Sequence, residues 1–165
     1  MDKDVFRLAV SGTSNRGLLE RCDADVTEVS SLNSTPLHYA ILSGSEDAVR
    51  MFVEAGSHIN AVNVYRESPL HWACKEGTAD IVRYLLLQQA SPNAIDSDDN
   101  TPMHWAADYD QEEIVQLLIE SGGGPSRYLK NDKGFTPLQV ARRSNSRRVI
   151  RLLQRRGLFG FGNSV

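Results

Sequence analysis

This chain has little of what small catalytic, secreted or membrane-bound proteins usually need. Its 165 residues include only two cysteines, Cys22 and Cys74, too few for a disulfide framework, and no Cys-x-x-Cys pair that would suggest zinc or redox chemistry. Cys74 falls among apolar residues and reads as a small buried hydrophobe. No run of roughly 18 apolar residues is present, so no apolar helix of bilayer length is expected. Met1-Asp2-Lys3-Asp4 is not a basic segment leading into an apolar one, so no secretory signal is visible. Together these absences predict an intracellular protein, cytoplasmic, nuclear or both. An enzyme would need a nucleophile, an acid–base pair or metal ligands converging on a pocket. The acidic residues are instead scattered along the chain, and His58, beside Asn60, has no evident ligand neighbours.

Acidic side chains are also missing from one whole stretch. All 21 lie at or before Asp132, so residues 1–133, with 11 Lys/Arg, carry a formal charge of −10. Residues 134–165 hold the remaining 7 cations, all arginine. An acidic body with a basic end is a distribution that composition alone conceals, since the net charge is only −3.

What the chain does have is a regularity. Thr35-Pro36-Leu37-His38, Ser68-Pro69-Leu70-His71 and Thr101-Pro102-Met103-His104 place their histidines 33 residues apart, and Thr136-Pro137-Leu138-Gln139 follows after 35. Such a period predicts a stack of small units sharing an elongated core. In each unit a hydroxyl residue is set to cap a helix, and proline suits the first helical position. Ala40, Ala73 and Ala106 allow close helix packing, and Gly44, Gly77, Asp110 and Asn145 stand where a left-handed residue would end the helix. A second helix then opens with acids: Glu46-Asp47, Asp80 and Glu112-Glu113. It continues with an apolar stripe: Val49, Phe52 and Val53; Ile81, Val82, Leu85 and Leu86; Ile114, Val115, Leu117 and Leu118.

With these tetrads and matching second helices the chain resembles the ankyrin-repeat family over nearly its whole length. The resemblance implies an all-α repeat solenoid of stacked helix-turn-helix units joined by projecting β-hairpin-like loops. The expected division is one domain over residues 1–157, with a tail at 158–165. Within it lie a degenerate N-terminal cap (1–33), repeats at 34–66 and 67–99, a repeat with a longer loop (100–134) and a C-terminal cap (135–157). In the first unit Val5-Phe6-Arg7-Leu8-Ala9 stands for the first helix and Leu18-Leu19 for the second; with degenerate units at both ends, the chain reads as a complete stack. The resemblance also implies that the recurring Thr/Ser and His hydrogen-bond within and between units. A shared metal is excluded, because helices pack roughly 8–10 Å apart while a Zn–N bond is about 2.0–2.1 Å. No cofactor is expected, and the implied role is non-catalytic protein–protein interaction as an adaptor, scaffold or inhibitor, with the chain alone monomeric.

In the family, partners meet the loop tips and the exposed positions of the first helices. Carried over, the tips are Val64-Tyr65-Arg66-Glu67 and Ser97-Asp98-Asp99-Asn100, and the helix positions are Leu42-Ser43, Lys75-Glu76 and Asp108-Tyr109. Among them Tyr65, Arg66, Glu67, Glu76, Asp98, Asp99, Asn100, Asp108 and Tyr109 are the candidate contacts. The tyrosines are the expected anchors, and the acids would favour a basic partner segment. Tyr39, Trp72 and Trp105 form one column, assigned chiefly to packing between units. An alternative rests on Arg142, Arg143, Arg147, Arg148 and Arg151, with Arg155-Arg156 beyond them. Arginines flanking a helix start make either a solvated cap face or a site for an acidic protein, anionic lipid or nucleic acid. Nucleic acid is disfavoured, because no aromatics interleave with these arginines. The extra residues at Arg127-Tyr128-Leu129-Lys130 would lengthen one loop, Gly122-Gly123-Gly124-Pro125 reads as a turn, and Leu158-Phe159-Gly160-Phe161 either covers the end of the stack or docks elsewhere.

Overall fold

A computed structural model of the chain describes residues 4–12, 14, 17 and 25–154. Leu18-Leu19, Cys22, Arg155-Arg156 and the Leu158-Phe159-Gly160-Phe161 tail lie outside the described residues. Within them are nine α-helices and no strand. The first helices of successive units are α1 (Asp4–Val10), α2 (Pro36–Leu42), α4 (Pro69–Glu76), α6 (Pro102–Asp108) and α8 (Pro137–Arg143). The second helices are α3 (Glu46–Glu54), α5 (Ala79–Leu87), α7 (Glu112–Leu118) and α9 (Arg147–Gln154). First helices stack on first helices from α1 to α8, and second helices pack behind them from α3 to α9. No helix among the described residues is long and apolar enough to cross a membrane.

The expected stripes form the core. Leu37, Ile41, Phe52, Leu70, Ile81, Leu85, Met103, Ile114 and Leu118 are fully buried, and Ala40, Ala73, Ala106 and Ala141 supply the close approach between layers. Each large aliphatic side chain in such a core contributes about 1.5–3 kcal/mol. The helix ends fall where the sequence puts them: Gly44, Gly77, Asp110 and Asn145 all have φ between 55° and 78°. Gly77 admits no other residue without movement, since a Cβ there would lie 2.3 Å from the Gln111 side chain.

The histidines do what the resemblance implies. In each tetrad the ring Nδ1 accepts the backbone N–H of the capping residue three positions back, at 3.1 Å for Thr35, Ser68 and Thr101. That fixes the tautomer, so Nε2 carries the proton and donates to the next unit. His38 reaches the Glu67 carbonyl at 3.2 Å, His71 that of Asn100 at 3.1 Å, and His104 that of Phe135 at 2.9 Å. In the last tetrad Gln139 Oε1 accepts the Thr136 N–H at 2.9 Å, which preserves the bond within the unit.

The loops are five-residue fingers, each closed by a backbone bond from its first N–H to its last carbonyl (Ser30 to Ser34, Asn63 to Glu67, Asp96 to Asn100 and Asn131 to Phe135) and by a second from its fourth N–H to its first carbonyl. All four have the same length, so the inserted residues do not extend a finger as expected. Arg127 and Tyr128 end a 3₁₀ turn over Gly124–Tyr128 at the finger's base, and Leu129 continues from it in extended conformation. From there Arg127 donates to the Leu153 carbonyl and so holds the end of α9. Neighbouring fingers are joined by Val64 N–H to Leu32, Ser97 N–H to Tyr65 and Asp132 N–H to Asp98. One bond per junction is too few for a strand ladder.

Burial pushes the His38 ring down to about 4, overriding the Glu67 carbonyl, which favours the protonated form. His71 and His104 are lowered by the same cause. Unfolded, the rings protonate near 6.5, so below that pH the unfolded chain binds more protons than the folded one. Stability is therefore fully present above about 6.5 and declines as pH falls toward 4, by at most about 1.4 kcal/mol per ring per pH unit. Denaturant titrations from neutral to mildly acidic pH should show this decline. His71→Gln should lower neutral-pH stability by about 1–3 kcal/mol and flatten the pH dependence; an unchanged slope would remove His71 from the linkage.

Candidate functional site

The candidate surface is made by the fingers and the C-terminal ends of the first helices. Its polar framework is mostly committed internally. Asn63 Oδ1 accepts the Tyr65 and Glu67 N–H groups at 2.9 and 3.0 Å, and Asp96 Oδ1 accepts those of Asp98 and Asn100 at 2.9 and 2.8 Å. Asn131 Oδ1 takes the Phe135 N–H at 2.9 Å. The two indoles are tied to the same framework: Trp72 donates to Glu67 at 2.8 Å and Trp105 to Asp96 at 2.9 Å. Ring edges also meet ring faces between units, with centroids 5.3 Å apart for Phe6 and Tyr39 and 6.0 Å for Tyr39 and Trp72. Such pairs contribute about 0.5–1.5 kcal/mol beyond their buried area.

Against that framework the candidate contact residues divide into two groups. Glu67 and Asn100 have structural work. The Glu67 carboxylate holds Trp72 and the Asn63 amide, while the Asn100 amide bridges Asp96 and Asn131. Asp108 accepts the Ser144 hydroxyl. Tyr65, Arg66, Glu76, Asp98, Asp99 and Tyr109 are exposed, with no side-chain hydrogen bond or ion pair to a described residue. Arg66 and Asp99 take the left-handed conformation at their finger tips, as do Asn33 and Gly134. That conformation is cheap for Asn and Gly but costs an arginine roughly 1 kcal/mol.

A groove runs between fingers and helix ends. One part, a cavity of about 340 Å³, is lined by Lys75, Trp105, Asp108, Tyr109, Lys133, Phe135 and Arg143 among others. The other, of about 170 Å³, is lined by Leu42, Glu67, Trp72, Lys75, Glu76 and Trp105, so the two adjoin at Lys75 and Trp105. The acidic tips Asp98 and Asp99 line neither. The negative surface read from the sequence therefore gives way, at the C-terminal part of the groove, to three cations and one acid.

The arginines do not act as one patch. The start of α9 looked like an open anion site, but the anion comes from within the chain. Asp110 Oδ1 accepts the Arg148 and Val149 N–H groups at 3.0 and 3.1 Å, and its Oδ2 meets Arg148 Nε at 3.2 Å. Burial alone would raise the Asp110 carboxyl; these bonds and the Arg148 charge hold it below the usual carboxylate range. Arg143 lies over the Phe135 ring at 4.7 Å, inside the groove. Arg142, Arg147 and Arg151 are exposed on α8 and α9. The sequence missed the Asp110 cap and the meeting of Lys75, Lys133 and Arg143. The finger-closing side chains had a visible signal, since Asn63, Asp96 and Asn131 recur at the interval of the tetrads.

The ankyrin-repeat family model, in 3 copies, matches residues 7–96 and 86–159. None of the curated proteins matches the chain.

Removing the cap should show in the stability. Asp110→Ala should destabilise by about 1 kcal/mol, as losing a helix cap does, and Asp110→Asn by less. Acid titration of the native protein should lose this contribution only as pH falls below the ordinary carboxylate range, because the folded carboxyl is the stronger acid. Equal melting of the alanine variant and the parent chain would rule the cap out.

Proposed function

The chain belongs to the ankyrin-repeat family, whose members are generally protein–protein interaction modules and typically non-catalytic, and from that premise we propose that it captures a protein partner as an adaptor, scaffold or inhibitor. In this reading it acts as a monomer inside the cell. The observation that carries the reading is a pair of half-exposed aromatics without polar partners, Tyr65 at 51% on a finger tip and Tyr109 at 48% at the end of α6. Large amphipathic rings held on a rigid scaffold lose little entropy on binding and are the usual centres of interface energy. Arg66, Glu76, Asp98, Asp99 and Asp108 surround them as a polar rim, with Glu67 and Asn100 setting the shape of the fingers beneath.

The second reading is an anionic partner held by Arg142, Arg143, Arg147, Arg148 and Arg151. One observation favours it: Arg143 lines the groove itself. Retention on heparin that falls steeply with salt and depends on Arg142, Arg147 and Arg151 would favour that reading over the first.

The test of the main reading is affinity purification from the native cell with the parent chain and with Tyr65→Ala combined with Tyr109→Ala. Both tyrosines are exposed, so the melt should barely move, within about 0.5 kcal/mol. Partner recovery should fall at least about tenfold, as for the loss of interface anchors. Unchanged recovery would refute this surface.

A further inference from the structure

The C-terminal part of the groove gathers Lys75, Lys133 and Arg143 around Trp105, Tyr109 and Phe135 in a cavity of about 340 Å³. These side chains come from four separate elements: α4, α6, the fourth finger and α8. None of the three cations pairs with a carboxylate among the described residues. Two of them have a local explanation, since Lys75 and Arg143 stand in the last turns of α4 and α8 and complement those dipoles. Lys133 does not. It sits on a finger tip, beside Gly134 in the left-handed position, with no helix to serve.

We infer that this cavity receives an acidic peptide segment, placing a carboxylate among Lys75, Lys133 and Arg143 and an apolar side chain against Trp105 and Tyr109. The inference rests on the reading of the groove as an interaction surface and names the chemistry of its partner. Charge complementarity carries it. The single acid in the lining, Asp108, is held by the Ser144 hydroxyl, which leaves two uncompensated positive charges. The low-dielectric ring faces around them strengthen attraction for a carboxylate. The aromatics supply the apolar half of the fit. Trp105 already spends its N–H on Asp96 and makes a T-shaped pair with His71, centroids 5.9 Å apart, so what remains for a ligand is apolar ring surface.

A single-stranded nucleic acid would use cations and aromatics too, but it fits less well. Phe135 carries the Arg143 guanidinium over its face at 4.7 Å, which blocks a base from stacking there. Residues 1–133 carry 11 cations against 21 acids, a field that repels a long polyanion more than a short segment bearing one or two carboxylates.

The experiment is fluorescence anisotropy with three labelled probes: a short glutamate-rich peptide with a central phenylalanine, its lysine-rich counterpart, and a thymidine oligonucleotide. The acidic peptide should bind, and its affinity should fall severalfold from about 50 to about 200 mM salt. Lys133→Glu combined with Arg143→Glu should weaken it at least about tenfold, whereas Arg147→Glu with Arg151→Glu on the outer face should leave it within about twofold. All four residues are exposed, and thermal melts check that each variant is folded. No binding of the acidic peptide, or equal losses from the inner and outer pairs, overturns the inference. Preferential binding of the lysine-rich peptide, strengthened by Lys133→Glu with Arg143→Glu, overturns it while leaving the groove as the interaction surface. Tighter binding of the oligonucleotide with the same variant dependence overturns it in favour of nucleic acid. The underlying reading fails separately, if native partner recovery survives the tyrosine pair.

Discussion

The structure depends on an imidazole that must stay neutral. Each of His38, His71 and His104 is buried with Nδ1 accepting from its own unit and Nε2–H donating to the next. A protonated ring could not accept at Nδ1. The receiving carbonyls of Glu67, Asn100 and Phe135 are the same ones that close the following fingers. Both acceptor positions of each are therefore in use, and one contact sets the distance between units and the root of the finger together. A groove lined by finger and helix side chains inherits its width from that relay.

At the ends of the stack other devices replace the histidine. The last unit keeps the acceptor in Gln139, with no following finger among the described residues. Its second helix, α9, begins with Arg147-Arg148, against its own dipole. Two outside contacts offset this: Asp110 reaches across from the left-handed end of α6 to cap its start, and Arg127 in the 3₁₀ turn binds the Leu153 carbonyl near its end. Two departures from the repeat pattern, an aspartate where two other units have glycine and a loop two residues longer, turn out to serve the last described helix pair.

Elements governed by local sequence were legible before any coordinates. The proline-led helix starts, the left-handed ends at Asp110 and Asn145, and the apolar stripes all fell where spacing placed them. Each depends on residues within one or two turns of one another. The Asp110–Arg148 contact joins residues 38 apart, and nothing in the period marks that pair. The meeting of Lys75, Lys133 and Arg143 was hidden for a related reason: a charge count runs along the chain, whereas the groove samples one side of three successive units. The sequence therefore yielded an acidic body and a basic end, while the groove mixes cations from both.

The same separation explains how one framework can carry different addresses. Leu32, Tyr65, Asp98 and Lys133 occupy equivalent places in four fingers whose closing bonds and left-handed residues coincide. The backbone holds them in register, yet the side chains presented are aliphatic, aromatic, acidic and basic in turn. The buried tetrads cannot vary without breaking the relay, but the tip positions can, because their side chains contribute nothing to it. In the proposed reading, a partner is selected by the order of chemistries along the row of fingers. Specificity of this kind is a difference between matched and mismatched neighbours, and it works only where the spacing of the fingers is rigid. Rigidity comes back to the neutral histidines, so the pH range that preserves them is also the range in which the row can be read.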